Sequence, residues 1–202
     1  MKVLIPENIS DITLKQFQEF VALDKVEGIT NREVGIEKLK IFVGFTDDQI
    51  EAISITDFNQ LSKLIDEALN KPSEFQQRFE MDGVEFGFHP NLDRMTTAEY
   101  VDLMNYNSDP ETLHKLMAIL FRPITSKDYT KNYTIAKYNG SEEYATKMLD
   151  TPSHIVNGAL VFFLNLSREL RKNILKYSSQ EEHQKAQKHQ ISGISGVGTQ
   201  QS

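Results

Sequence analysis

Residues 151–176 read TPSHIVNGALVFFLNLSRELRKNILK, and this apolar run is the strongest structural signal in the chain. A helix whose apolar residues cover most of its circumference is expected to be buried rather than to lie on a surface. The sequence therefore predicts one long, central helix from Thr151 to Lys176, with Thr151-Pro152 at its start. The apolar residues of its first half are Ile155, Val156, Ala159, Leu160, Val161, Phe162, Phe163, Leu164 and Leu166.

The same run is too short to be a membrane span. A transmembrane helix needs about 20 consecutive apolar residues, and Asn157 and Asn165 interrupt this run. At the other end of the chain, Pro6 follows too closely on the start for the apolar region of a signal peptide. We therefore expect no membrane partner, and a protein that remains in the cytoplasm of the cell that makes it.

Composition narrows the remaining classes of protein. The chain has 202 residues and no cysteine, which excludes disulfides and thiolate metal sites. Its 22 basic and 29 acidic residues give a formal charge of −7, which disfavours non-specific binding to nucleic acid. With 39% hydrophobic and 25% charged residues, the composition is that of a globular protein.

Helix starts recur along the chain. A Ser or Thr followed three residues later by Glu or Gln predicts a capping box, in which each side chain bonds the other's backbone N–H. Such pairs occur at Thr13/Gln16, Thr30/Glu33, Thr46/Gln49 and Thr96/Glu99. Further starts are predicted at Thr56-Asp57, Ser108-Asp109-Pro110 and Ser141-Glu142. The helix after Thr96 is expected to run through Tyr100, Val101, Leu103 and Met104.

A change of period marks the middle of the chain. Residues 79–88 read FEMDGVEFGF and alternate apolar and polar residues around Asp82-Gly83, which predicts a β-hairpin. An isolated two-stranded ribbon is only marginally stable. Its apolar face is therefore expected to pack on helices or to bind a partner. That face comprises Phe79, Met81, Val84, Phe86 and Phe88.

From Ser178 onwards the composition changes to polar and small residues, which predicts a disordered tail. One tail segment, ISGISGVG at 191–198, places Ile191, Ile194 and Val197 at every third position. It is interpreted either as part of a featureless polar tail or as a docking peptide that adds to a partner's surface.

The predicted fold is thus mainly α, with helical domains, one small β-hairpin insertion and a disordered C-terminal tail. We expect an N-terminal helical segment at 1–74, the hairpin at 75–90, a C-terminal helical segment at 91–177 and the flexible tail at 178–202.

The sequence contains no constellation that indicates catalysis, and we predict no catalytic residue, cofactor or metal site. Glu99 and Asp102 lie three residues apart, as acid/base pairs on a helix can, but Glu99 already belongs to a capping box. Arg122 either clamps a carboxylate or satisfies helix-terminal carbonyls, the second being the simpler reading. An enzyme would need a polar pocket around Glu99, Asp102, His114 or Arg122.

A tyrosine-rich connector follows Arg122. Tyr129, Tyr133 and Tyr138 are interleaved with lysines, a pattern also seen where bases stack on protein. Because acidic residues lie nearby, at Asp128 and Glu142, a protein interface explains the tyrosines equally well.

Two groups of residues resemble known phage proteins. The stretch VGFTDDQIEAISITDF at 43–58 resembles the N-terminal module of small tail-assembly chaperones of tailed bacteriophages. MTTAEYVDL at 95–103, LMAILFRP at 116–123 and LVFFL at 160–164 are similar to a small protein encoded among structural genes of phages of Bacteroidetes, including crAss-like phages.

The resemblance implies a non-enzymatic phage virion component or assembly factor, located in the virion or in the cytoplasm of the infected host. It would contact other structural proteins, at the portal or tail or as packaged cargo, or form a homo-oligomer. The alternatives are a tail-assembly chaperone absent from the mature particle and a host-directed binding protein. Such chaperones are usually shorter and lack the hairpin and the tail, which favours the virion component.

The residues expected to contact a partner lie in the hairpin, the connector and the tail. They are Phe79, Met81, Val84, Phe86, Phe88, Tyr129, Tyr133, Tyr138, Ile191, Ile194 and Val197.

Overall fold

A computed structural model describes residues 5–107, 109–130 and 132–165. Contacts divide the chain into two units, Met1–Ala159 and Leu160–Ser202. The packing described below is that of the first unit, and it confirms that the fold is mainly α.

Four helices form the N-terminal part: α1 (Leu14–Ala22), α2 (Asn31–Val43), α3 (Asp47–Ala52) and α4 (Ile55–Leu69). The predicted capping boxes at Thr13, Thr30 and Thr46 are confirmed. The prediction that α4 begins at Thr56-Asp57 is wrong, because the Ser54 hydroxyl accepts the Asp57 N–H and is the cap. Capping side chains thus define how these helices begin.

A common apolar core holds these helices together. Its buried residues come from α2, from α4, from the loop after α2 and from the segment that precedes α1: Ile12, Leu39, Phe42, Phe45, Ile65 and Ala68. Buried apolar area of this kind is the main favourable term in folding.

The predicted hairpin is confirmed but is not alone. Strands β1 (Arg78–Met81) and β2 (Val84–Phe88) pair in antiparallel register across Asp82 and Gly83. Both turn residues have positive φ, 52° and 72°, as a two-residue hairpin loop requires.

Two further strands, β3 (Phe121–Lys127) and β4 (Tyr133–Ile135), extend the hairpin into a four-stranded sheet of order β1-β2-β3-β4. The prediction of a single hairpin is therefore wrong. Arg122-Pro123, which the sequence placed at a helix end, lies within β3. The strand was hidden because it follows the apolar helix α6 (Leu113–Leu120) without a connecting turn.

The remaining helices are α5 (Thr97–Tyr106), α7 (Glu142–Met148) and a last helix, α8, whose described part covers residues 153–165. The Leu14 N–H donates to the Thr151 carbonyl at 2.8 Å, and the Lys15 N–H donates to the Leu149 carbonyl at 2.8 Å. The predicted segments 1–74 and 91–177 are thus hydrogen-bonded to each other, while their boundaries stay a prediction.

The start of α8 is buried as expected at Ile155, Val156 and Ala159. Val161 and Leu164, which belong to the second unit, are each 54% exposed, so the expectation of burial is wrong for these two residues. Apolar composition gives a side chain its preference for burial, but burial also needs neighbouring atoms. Residues 166–176 and the predicted tail 178–202 lie outside the described residues. Among the described residues, no helix is both long and apolar enough to cross a membrane.

Candidate functional site

Helix α5 turns its charged side chains inward and exposes several of its apolar residues. Its two charged side chains, Glu99 and Asp102, point towards the protein, and Glu99 is buried. With 3.6 residues per turn, they share a face with the buried Leu103. The opposite arc of the helix faces solvent.

The Glu99 carboxylate is held by three neighbours. One oxygen, Oε1, accepts a hydrogen bond of 2.5 Å from Arg122 Nη2, and both side chains are 4% exposed. The other oxygen, Oε2, accepts the Thr96 N–H at 2.6 Å, which completes the predicted capping box. His89 Nε2 lies 3.6 Å from Oε1. Arg122 therefore clamps a carboxylate, and the simpler reading, in which it satisfies helix-terminal carbonyls, is not what the structure shows.

The charge states in this cluster follow from burial and these contacts. Burial acts to raise the pKa of Glu99, but the Thr96 hydrogen bonds and the Arg122 guanidinium outweigh it and hold that pKa below its usual value. Burial lowers the pKa of His89, against the attraction of Glu99. Near pH 7 the ion pair is thus between Glu99 and Arg122, with His89 neutral beside it.

Asp102 is engaged by a second partner. The Tyr138 hydroxyl donates a 2.5 Å hydrogen bond to Asp102 Oδ2. Burial and the Asp102 carboxylate both raise the pKa of Tyr138, so the phenol remains a donor. The Arg122 guanidinium lies 5.5 Å from the centroid of the Tyr138 ring, which joins the two contacts into one cluster.

The side of α5 that faces solvent bears no charged side chain, because Glu99 and Asp102 are the only charged residues of the helix and both lie on its inner side. Tyr100, Val101 and Met104 are 55%, 49% and 43% exposed. The other exposed residues of the helix are Thr97, Ala98 and Asn105. We call Tyr100, Val101 and Met104 the α5 face.

The hairpin side chains predicted to contact a partner are buried or half-buried, unlike the exposed residues of the α5 face. Phe86 and Phe88 are buried, so the expectation that they form an exposed surface is wrong. The Phe86 ring stacks on Phe79 at 5.5 Å, and Phe88 meets Phe121 of β3 edge to face at 5.2 Å. Phe75 also lies against Phe88, and Tyr144 of α7 lies against Phe86, so several elements cover side chains that an isolated hairpin would leave open. Phe79, Met81 and Val84 are half-buried.

The connector tyrosines separate into three environments. Tyr129 is 98% exposed, Tyr138 is half-buried in the cluster, and Tyr133 is buried. The Tyr133 hydroxyl donates to the Phe88 carbonyl at 2.7 Å. A Cβ on Gly87 would lie 2.4 Å from Tyr133 Cε2, so only glycine leaves room for this ring. Ile191, Ile194 and Val197 lie outside the described residues.

The residues that an enzyme would need do not all meet. Glu99, Asp102 and Arg122 belong to the cluster, whereas His114 Nδ1 lies 3.2 Å from Gln18 Nε2, in a contact with α1. Among the described residues, no group of three or more His, Asp or Glu side chains is arranged to hold a metal ion.

The sequence analysis named Tyr100, Val101, Leu103 and Met104 as residues of the helix after Thr96 but did not assign them to faces, and for that reason it missed the α5 face. A helical projection separates Leu103 from Val101 by 200°. The projection places Leu103 on the same side of the helix as Glu99 and Asp102. An apolar and two acidic residues on one side were therefore the sign in the sequence that another apolar side faces outward.

Comparisons with protein-family models, with curated proteins and with solved structures find no match for this chain.

Proposed function

We propose that this protein is a non-enzymatic bacteriophage component that acts through protein contacts, as a virion protein at the portal or tail or as packaged cargo. The observation that carries the proposal is the α5 face, an uncharged apolar surface on a helix whose carboxylates are turned inward.

The composition of this face suits a protein contact. Aromatic residues and Met are enriched in protein interfaces, whereas charged residues are depleted at their centres. Tyr100, Val101 and Met104 supply such a surface, and each is about half exposed. Since Glu99 and Asp102 are engaged inside, no carboxylate of α5 opposes a partner's approach.

Hydrogen bonds to two other parts of the chain hold the inner side of α5 in place. Glu99 is bonded to β3 through Arg122, and Asp102 is bonded to Tyr138. A surface that is already ordered loses less conformational freedom on binding, which favours affinity. The polar groups that could have served an enzyme thus fix the orientation of an interaction helix.

The phage assignment rests on the resemblance of MTTAEYVDL at 95–103 to a small phage protein. This stretch contains Tyr100 and Val101, and therefore part of the α5 face itself. The same motif carries Glu99 and Asp102, which turn that face outward.

The test is quantitative mass spectrometry of purified particles from a phage that encodes this chain. A fixed copy number per particle is the expected result. Absence from particles together with failed assembly on deletion would identify a tail-assembly chaperone instead. Absence without an assembly defect, accompanied by a tight complex with a host protein, would identify a host-directed binding protein.

The role of the α5 face is tested in the same particles. The variant V101K/M104K is expected to lose at least about tenfold in incorporation, because two ammonium groups must be desolvated at the contact. The matched control, Q60K/N59K, places the same charges on the exposed side of α4. If the α5 variant is incorporated like the control, α5 is not the contact.

A further inference from the structure

A groove of about 440 Å³ lies among α2, α3 and α4, remote in sequence from the α5 face. Its apolar lining consists of Ile36, Ile50, Ile53, Ile55 and Phe58. Binding pockets are typically of this size, mainly apolar and supplied with a few polar groups that orient the ligand.

The walls of the groove are built on the core of the N-terminal helices. Ile50, Ile53 and Phe58 pack against the buried cluster beneath them. Gly35 of α2 makes room for the Phe58 ring, since a Cβ there would lie 2.8 Å from Phe58 Cζ. The groove is therefore an ordered feature of the fold.

One lining residue is conspicuously exposed. Ile55 opens α4 and is 73% exposed, although burying an isoleucine side chain is worth roughly 1.5 to 3 kcal/mol. A ligand in the groove would cover this side chain together with the half-buried apolar residues around it.

The rim of the groove carries two opposite charges, Arg32 and Glu51. In the described part of the chain neither makes an ion pair, whereas nearby Lys40 pairs with Asp47 at 2.6 Å. A lone anionic amphiphile would satisfy Arg32 but would face the Glu51 carboxylate. A ligand that carries both signs beside an apolar surface would satisfy both residues.

We infer that this groove binds a segment of a partner protein that presents aliphatic side chains flanked by one acidic and one basic residue. The aliphatic side chains cover Ile55 and Phe58, the acidic residue pairs with Arg32 and the basic residue with Glu51. This inference rests on the proposed function in one respect, that the ligand is a protein. It concerns a surface separate from the α5 face.

The test uses the ¹⁵N-labelled full chain and three synthetic helical peptides of equal length. The first peptide has a helical face of Leu and Ile flanked by one Glu and one Lys. The second has the same Leu and Ile face but is flanked by two Lys. The third keeps Glu and Lys but has Ser in place of the aliphatic residues. The Glu/Lys peptide is expected to shift amides of α2, α3 and α4 and to bind about tenfold more tightly than either of the others.

Charge reversal in the protein supplies the decisive comparison. R32E turns the rim into two acids, so the preference is expected to switch to the Lys/Lys peptide. A surface that is merely adhesive to apolar peptides would show no such switch. The variant I55S alters a side chain that is already largely exposed, so it is expected to remain folded and to weaken binding.

Three results overturn the inference: no binding of the aliphatic Glu/Lys peptide, equal affinity for the aliphatic Glu/Lys and Lys/Lys peptides before and after R32E, or shifts confined to α5. Decanoate that shifts the groove amides when no peptide does would identify a small-molecule site instead. Loss of particle incorporation on altering α5, with no peptide binding here, would contradict this inference and leave the proposed function standing.

Discussion

Helices α4 and α5 are both capped and both pack on a core, but they differ in where most of their charges lie. In α4, Asp57, Lys63 and Glu67 are exposed, and Lys63 and Glu67 form a surface pair at 3.6 Å. One further acid of α4, Asp66, is half-buried and pairs with the buried Lys38 of α2 at 2.6 Å. In α5 both acidic side chains point inward, and the exposed arc is apolar. A helix can turn its acids inward when another element supplies a buried cation, as β3 does with Arg122.

The largest expected effect comes from removing that cation. R122M leaves the Glu99 carboxylate buried without its partner, and breaking a buried ion pair in this way is worth about 3 to 5 kcal/mol. The free energy of unfolding, measured by urea titration with circular dichroism, is expected to fall accordingly.

The matched variant on α4 is K63M, which breaks an exposed pair and should change stability by less than about 1 kcal/mol. Adding E99Q to R122M is expected to restore part of the loss, because the buried charge is then gone. Equal stability of R122M and K63M would show that the buried Glu99–Arg122 pair contributes no more to stability than the exposed Lys63–Glu67 pair.

Removal of the N-terminal capping side chains of α4 and α5 should also lower stability by different amounts, with smaller effects than the loss of Arg122. S54A removes the cap of α4 and should cost about 1 kcal/mol. T96A removes the cap of α5 and also the hydroxyl that stabilises the buried Glu99 carboxylate, so about 1 to 2 kcal/mol is expected. Thermal unfolding of both variants measures the difference, and a T96A protein no less stable than S54A would argue against it.

The pH dependence of stability should reveal the neutral His89 next to the ion pair. Burial holds the pKa of His89 below its ordinary value of 6.5, so the unfolded chain binds the proton first as the pH falls. The contribution of neutral His89 to the free energy of unfolding is therefore fully present above pH 6.5. It is lost as the pH falls below 6.5, by at most about 1.4 kcal/mol per pH unit.

Urea titrations between pH 7.5 and 5.5 measure this slope. H89Q is expected to flatten it. Burial also lowers the pKa of His114 and His154, so H89Q should retain part of the dependence. An unchanged slope in H89Q would place the effect elsewhere in the protein.

The smallest effect on stability is expected on the outer faces. V101K on α5 and Q60K on α4 should each change the free energy of unfolding by less than about 0.5 kcal/mol. Retention on a hydrophobic-interaction column should fall for V101K and not for Q60K, because Val101 belongs to the apolar α5 face whereas Gln60 is a polar residue on an exposed side of α4. Similar retention of both variants would contradict the contrast from which the proposed function is drawn.

Much of the helical architecture was predictable because its signals are local. Thr13, Thr30, Thr46 and Thr96 each cap a helix through a residue three positions away, and the structure confirms all four. Ser54 was missed because Thr56-Asp57 offered a competing local pattern.

The sheet was only half predictable. The hairpin depends on Asp82-Gly83 and on adjacent residues, whereas β3 depends on pairing Phe86 with Pro123 and Gly87 with Arg122. In addition, burial along β3 does not alternate: its first two residues are buried and its last three are exposed, so the strand lacks the period of two that marks a half-buried strand. Phe86 and Phe88 are buried by rings that are distant in sequence, Tyr144 of α7 against Phe86 and Phe121 of β3 against Phe88, and for that reason the expectation that these two side chains are exposed was wrong.

The candidate site shows the same limit. Glu99, Asp102 and Arg122 were singled out from the sequence as polar residues of interest, but nothing in their spacing revealed that they meet. The sequence by itself determined where four of the capped helices start, where the hairpin turns and which residue types were available for chemistry or contact, since these depend on neighbours along the chain. Only the tertiary structure decided that Arg122 reaches Glu99 and that α5 turns its apolar side to solvent, because a helix face is buried or exposed according to what the rest of the fold places against it.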